Sequence, residues 1–256
     1  MPSDDLEILF RDEHMVAINK PSGIFVHRSP MSPPTEPNVM RLLRDQIGQL
    51  VTPVHRLDRA TSGVLLFALN TQAARDLSRQ FSEHTVRKQY LAIVRGHTSD
   101  EATIDIPLKP HRDGLTGKSR RDDEAQAAVT LIRTLDRCEI PHSAGRYPTS
   151  RYSLIEALPQ TGRRHQIRRH LKHTSHPILG DVAHGDQRHN HLLQSLFGLN
   201  RMLLVASRLE FEHPASQAHT TIEASGGPHF KTAAEFLGLT SQNAVTRQSP
   251  ADPALS

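Results

Sequence analysis

Val54-His55-Arg56-Leu57-Asp58-Arg59-Ala60-Thr61-Ser62-Gly63 runs straight into Val64-Leu65-Leu66-Phe67-Ala68-Leu69, so a polar, turn-forming stretch is delivered onto an apolar strand. This join constrains the fold more than any other segment. The apolar run must be buried as a strand, and the strand then makes the preceding loop stiff. A carboxylate, Asp58, stands in that loop between Arg56 and Arg59. Cationic neighbours favour the charged form of a carboxylate, so Asp58 is expected to be ionised at neutral pH and to act as a nucleophile or as a structural anion. The plainer alternative is an aspartate that caps its own turn while both arginines face solvent.

Two further stretches carry chemistry. Val86-Arg87-Lys88-Gln89-Tyr90-Leu91-Ala92-Ile93-Val94-Arg95-Gly96 reads as a strand, on which Tyr90 is either half-buried packing or a phenol presented to a ligand. In Pro159-Gln160-Thr161-Gly162-Arg163-Arg164-His165-Gln166-Ile167-Arg168-Arg169-His170-Leu171-Lys172-His173, a Thr-Gly turn opens a helix. There Arg164, Arg168 and Lys172, at i, i+4 and i+8, are expected to form one cationic stripe. A helix with a positive N-terminus and one positive face is suited to phosphate. A merely solvated basic helix is the alternative.

The pattern His-Arg-Leu-Asp-Arg-x-Thr-Ser-Gly at residues 55–63 resembles the catalytic signature of the RluA-type pseudouridine synthases, enzymes that isomerise uridine in RNA. Matching segments extend the resemblance over roughly residues 6 to 230. They include Lys20-Pro21-Ser22-Gly23, the Lys-x-Tyr of Lys88 and Tyr90, Gly162-Arg163-Arg164-His165-Gln166-Ile167-Arg168, and Pro177-Ile178-Leu179-Gly180-Asp181. Gln46–Gln49, Gly145-Arg146-Tyr147-Pro148-Thr149 and Arg163–Leu171 are most similar to members that modify uridine 65 of tRNA, with members acting on 23S ribosomal RNA as the alternative. One position departs: many members have His where this chain has Val205, a position assigned to packing.

The resemblance implies an α+β pseudouridine synthase fold with a largely antiparallel central sheet, in two halves flanked by helices around a basic cleft. It also implies Asp58 as the nucleophile, Arg168 as the arginine paired with it, and Tyr90 as the surface against the target base. The family reaction needs no metal, nucleotide or redox cofactor. Arg56, Arg59, Arg163 and Arg164 surround the two catalytic stretches and are expected to cradle RNA phosphates. Two other classes stay open. A glycosidase would need a second acid and sugar-stacking aromatics, and aromatics make up 4 % of the chain. A non-catalytic RNA-binding module explains the arginines but not the aspartate among them.

Elsewhere, Leu6–Phe10 and Met15–Lys20 read as strands around an Arg-Asp-Glu-His turn, and the Lys-Pro-x-Gly turn is expected to introduce another strand. Residues 28–38, with four prolines, form a loop, after which Asn38 caps a helix over Val39–Ile47. Thr71 is expected to cap a helix over Gln72–Glu83, with Ala74, Leu77, Ser78 and Phe81 on one side. Residues 108–127 read as a mobile loop or hairpin tip. Ala128–Arg133 and Arg151–Ala157 read as strands joined around Cys138–Pro148, a short helix is expected over His191–Phe197, and Leu203–Pro214 is the last family strand.

Residues 1–239 are expected to be one catalytic domain with no RNA-binding domain ahead of residue 6, followed by a disordered tail over 240–256. No apolar run reaches bilayer length and the N-terminus lacks signal-peptide character, so a cytoplasmic protein is expected, and a monomer by the resemblance. The single cysteine, Cys138, allows no internal disulfide, and the 17 histidines show no metal-ligand spacing. Thirty-one Lys+Arg against 27 Asp+Glu leave a net charge of +4, mild enough that RNA binding must come from where the arginines gather.

Overall fold

Two antiparallel half-sheets meet at one short parallel seam. The computed structural model describes residues 5–27, 36–110 and 124–240. In chain order the elements are β1 (Glu7–Arg11), β2 (Met15–Lys20), α1 (Val39–Ile47), β3 (Thr52–Pro53), β4 (Ser62–Ala68), α2 (Thr71–Ser82), β5 (Arg87–Arg95), β6 (Glu101–Asp105), β7 (Val129–Ile140), β8 (Ser150–Pro159), α3 (Gln166–His173), α4 (Gln187–Phe197), β9 (Leu204–Glu212), β10 (His219–Glu223) and α5 (Gly227–Leu237). The strands order as β1-β2-β4-β9-β5-β8-β7-β6, with β3 beside β4 and β10 beside β9. The expected α+β class, with a largely antiparallel sheet in two halves, is what the chain adopts.

Both faces of the sheet are covered, and the strand alternation shows how. In β2, Met15 and Ala17 enter one apolar cluster while Val16 and Ile18 enter another; in β4, Val64 and Leu66 divide from Leu65 and Phe67 in the same way. In the other half, Ala92 and Val94 of β5 pack with Ile167 and Leu171 of α3, and Ile93 packs with Leu193 of α4 and Phe230 of α5. Each such fully buried Leu, Ile or Phe contributes on the order of 1.5–3 kcal/mol. Tyr90 packs against both the α1-side cluster and the α3-side cluster, at the join of the two halves.

The seam is β4 beside β9, the only parallel pair among the described strands, with Ser62 opposite Val205 and Gly63 opposite Ala206. Gly63 makes it possible. Its φ is +108°, and a Cβ there would lie 2.2 Å from the Ala206 carbonyl oxygen. Val205, the one position that departs from the resemblance, is buried in the cluster that includes Ile93 and Tyr152, so the position is one of packing.

Several local expectations change. The residues after Lys20-Pro21 make only an isolated bridge, Phe25 to Asn38, and no strand, because Gly23 donates to the Asp58 loop while the Phe25 and Val26 carbonyls accept from the Val39 and Met40 amides that open α1. Asn70 rather than Thr71 caps α2, its side chain accepting from the Ala73 amide at 2.9 Å, and the helix buries Ala73, Leu77 and Gln80. β7 runs on through half-buried Cys138 to Ile140, α4 begins at Gln187, and β3, β6, β10 and α5 are elements beyond those expected from the sequence. Of the expected 108–127 loop, residues 111–123 lie outside the described residues, as do residues 28–35 of the proline-rich loop and the tail from residue 241.

Gly63→Ala is expected to cost about 3 kcal/mol or more, because strain and a backbone clash add. Gly48→Ala, also left-handed at φ +69° but with open space around it, is expected to cost about 1 kcal/mol. Denaturant midpoints of the two variants check the difference.

Candidate active site

The loop from His55 to Thr61 is held from below by residues 20–23. The Lys20 ammonium donates to the carbonyls of Pro21 (2.9 Å), Arg59 (3.1 Å) and Thr61 (2.8 Å), Ser22 Oγ donates to the Ala60 carbonyl (2.7 Å), and the Gly23 amide donates to the Arg59 carbonyl (2.8 Å). Three successive carbonyls, of residues 59, 60 and 61, are thus fixed by the Lys-Pro-Ser-Gly turn. Lys20 is fully buried. Burial pushes its pKa down to about 7 against the opposing pull of Asp58, and only its protonated form can donate to three carbonyls at once.

Asp58 emerges from this clamp toward α3. Arg168 Nη1 donates to Asp58 Oδ2 at 3.0 Å, across 110 residues of chain. The same guanidinium turns its other edge to Asp181, Nε to Oδ2 at 2.7 Å and Nη2 to Oδ1 at 2.8 Å, and Asp181 Oδ1 also accepts from the Ala183 and His184 amides at 2.9 Å. Side-chain exposure separates the two carboxylates: Asp181 is 1 % exposed and Asp58 19 %, so one supports and the other faces solvent. Burial alone would raise the Asp181 carboxyl, but Arg168 and the His184 amide outweigh it and hold its pKa below 3.8. Burial would likewise lower Arg168, yet Asp181 and then Asp58 outweigh it and raise its pKa above the ordinary arginine value.

The expected cationic stripe does not form. Gln166 opens α3, its Oε1 accepting from the Arg163 amide and its Nε2 donating to the Val129 carbonyl, so Arg164 precedes the helix. Arg168 is buried and Lys172 is exposed, so the two do not share a solvent face. His165, before the first turn, adopts a left-handed backbone at φ 54°, a conformation that costs energy for a non-glycine residue. Its Nε2 lies 3.8 Å from Asp58 Oδ1 and its Nδ1 3.0 Å from His184 Nε2.

Asp58, Tyr90 and Arg168 all line one cavity of about 610 Å³, within the range of small-ligand sites. Tyr90 is aimed by a bulge: β9 carries one extra residue, Ser207, between the pairs Arg208–Gln89 and Ala206–Tyr90. Burial and then the Asp58 charge raise the Tyr90 phenol well above its usual 10, so it meets a ligand as a neutral, protonated ring. His55 stacks on Phe81 with ring centroids 4.6 Å apart and accepts from the Leu66 amide through Nε2 at 2.9 Å. Burial and Lys88 lower its pKa to about 3, so it is a neutral wall.

Of the four arginines expected to cradle phosphate, Arg56, Arg163 and Arg164 line this cavity. Arg59 does not; it pairs with Glu36 at 3.0 Å, donates to the Gly23 carbonyl at 2.8 Å and lies over the Phe25 ring at 4.7 Å. The ion partner of Asp58 is therefore the remote Arg168 rather than either flanking arginine. Lys20, His55, Phe81, His165 and Asp181 complete the site without having been singled out for it. Of these, Lys20, His55, His165 and Asp181 lie in segments that carry the resemblance, and only Phe81 does not. Among the described residues, no group of three or more His, Cys, Asp or Glu side chains is placed to hold a metal.

A family model described as RNA pseudouridylate synthase matches residues 14–173. The chain belongs to that family. A tRNA pseudouridine synthase C of Haemophilus ducreyi is 50 % identical over 220 residues, covering 86 % of this chain and 90 % of that protein. One from Pectobacterium carotovorum subsp. carotovorum is 52 % identical over 86 % of this chain, which spans 58 % of that relative's length. The solved structure of human RNA pseudouridylate synthase domain containing 4 superposes with a TM-score of 0.68 at 26 % identity, covering 91 % of this chain and 94 % of that one. In this pseudouridylate synthase the family region takes in the lysine clamp, the Asp58 loop, Tyr90 and Arg168, while Asp181 lies beyond it.

Asp181→Asn is expected to destabilise the fold by about 3 kcal/mol at neutral pH, since it breaks a buried pair and leaves Arg168 half satisfied. The folded carboxyl lies below 3.8, so this stabilisation is fully present above that pH and is lost as pH falls through the folded value. Chemical denaturation from pH 7 to pH 2 should show wild type and variant converging at the acid end.

Proposed function

We propose that this chain isomerises uridine to pseudouridine in tRNA, at uridine 65, with Asp58 as the nucleophile. The observation that carries the reading is the Asp58 carboxylate, 3.0 Å from a buried guanidinium, on the wall of a nucleoside-sized cavity that also holds the Tyr90 ring. The names of the relatives at 50–52 % identity support tRNA as the RNA. The chemistry requires the N1–C1′ bond to break, the uracil to turn and C1′ to bond C5, with the C5 proton leaving and a proton arriving at N1. Asp58 attacks either C1′ or C6, a charged carboxylate being competent for both. Arg168 keeps its charge in place, and Tyr90 gives the turning base an apolar surface.

A uracil within a stem must be flipped out, at a cost of a few kcal/mol. Contacts from Arg56, Arg163 and Arg164 to backbone phosphates offset that cost, while Arg59 acts by holding the loop. The reaction is assigned to one catalytic domain over residues 1–239, working as a monomer in the cytoplasm. Among the described residues no helix is long and apolar enough to cross a membrane.

Incubation with unmodified tRNA, followed by mapping of pseudouridine, is expected to give one modified position with wild type and none with Asp58→Ala. Product from the variant would remove Asp58 from the mechanism. Binding should weaken steeply with salt, and Arg56→Ala or Arg163→Ala should each flatten the log–log salt slope by about 1. An unchanged slope would take that arginine out of the phosphate cradle.

A further inference from the structure

A second cavity, of about 660 Å³, lies at the other end of the sheet from Asp58. β8 starts on its wall at Ser150 and ends on the wall of the catalytic cavity at Pro159, a run of roughly 30 Å at strand rise. It is formed by the 144–149 turn between β7 and β8, the end of β5 and the start of α4, and it includes the Gly145–Thr149 segment that the catalytic site leaves unused.

Its chemistry is that of a phosphate and base site. Arg95, Arg146, Arg151 and Arg188 line it with a single carboxylate, Asp186. Asp186 is already engaged, pairing with Arg95 Nη1 at 2.5 Å and accepting from the Arg188 amide at the N-cap of α4, and Arg151 is held by Glu139 at 2.9 Å. Among the described residues no carboxylate lies within ion-pair distance of Arg146 or Arg188, so their charges face the cavity uncompensated. Tyr147 is 68 % exposed, an uncommon state for a large aromatic ring, and the Arg146 guanidinium lies 5.8 Å from its centroid. An open aromatic face beside spare guanidinium groups suits an unpaired base and its flanking phosphates.

α3 runs from one cavity toward the other. It starts at the catalytic cavity, carries Lys172 exposed, and ends beside Arg95, whose Nη2 donates to the Ser175 carbonyl at 2.9 Å. Continuity with the RNA-binding cleft favours the substrate itself as the occupant over an acidic polypeptide. We infer that this second cavity is an RNA-binding exosite, holding the same tRNA about 30 Å from the reacting uridine through phosphates on Arg146 and Arg188 and a base on Tyr147. The inference rests on the proposed tRNA activity.

The test compares two substrates: full-length unmodified tRNA, and a minimal stem-loop bearing the same uridine but too short to span the distance. With the double variant Arg146→Ala/Tyr147→Ala, and separately with Arg188→Ala, KM for tRNA is expected to rise about tenfold with kcat unchanged, while both constants for the stem-loop stay at wild-type values. Equal losses on both substrates would overturn the inference, as would no loss on either, the latter leaving the arginines to an acidic protein partner. Affinity for tRNA is measured in parallel in an Asp58→Ala background, where no turnover is needed. If wild type makes no pseudouridine in tRNA, the proposed activity fails on its own, and this binding assay still decides the exosite: weaker tRNA binding on adding the double variant supports it, and unchanged binding refutes it.

Discussion

One guanidinium shared between two carboxylates is the interaction on which the site depends. Arg168 spends two nitrogens on buried Asp181 and a third on Asp58. A buried arginine and a buried aspartate each carry a desolvation penalty of several kcal/mol, repaid only when geometry is good and the remaining lone pairs are satisfied. Both conditions hold here, through the two parallel N–H···O contacts and the two amides that cap Asp181. Because Asp181 anchors the guanidinium, the third nitrogen stays aimed at Asp58 whether or not substrate is present. That is electrostatic preorganisation, in which the cost of orienting the charge is met on folding rather than during the reaction.

The fold supplies the other half of the alignment. Asp58 belongs to the half-sheet containing β4, whereas Arg168 belongs to the helix packed on β5, β7 and β8. The two halves are hydrogen-bonded as strands through a parallel seam only two residue pairs long, and the glycine in that seam lies five residues after Asp58. Lys20 and its turn tie the intervening backbone to β2. Asp58 and Arg168 thus sit where the halves converge.

A cavity of about 610 Å³ can take a nucleoside but not tell one RNA from another. Discrimination among RNAs must come from surface further out, and the arginine-rich cavity at the far end of β8 is the inferred place for it. Placing affinity at a distance from the chemistry lets the enzyme hold a large substrate firmly without over-stabilising the base it must turn.

Much of this was legible along the chain. The apolar run after Gly63, the alternation of β2 and the Asn38 cap of α1 are local patterns, and the Asp58 loop, Tyr90 and Arg168 stood out as segments because residue type and spacing within a few positions carry the information. The misreadings share one cause. Arg164, Arg168 and Lys172 have helical spacing, but hydrogen bonds from Gln166 to the β7 strand decide where α3 begins, and Asp181 decides which way Arg168 points. The local sequence determined the strands, the turn-borne carboxylate and the abundance of arginine. The pairing of Arg168 with Asp58 was implied by the resemblance, but only the tertiary structure decided that Asp181 holds the other edge of that guanidinium, that Lys20 is a buried clamp and that Arg59 is a brace, because a charge buried far from its chain neighbours is satisfied by whatever packing brings to it.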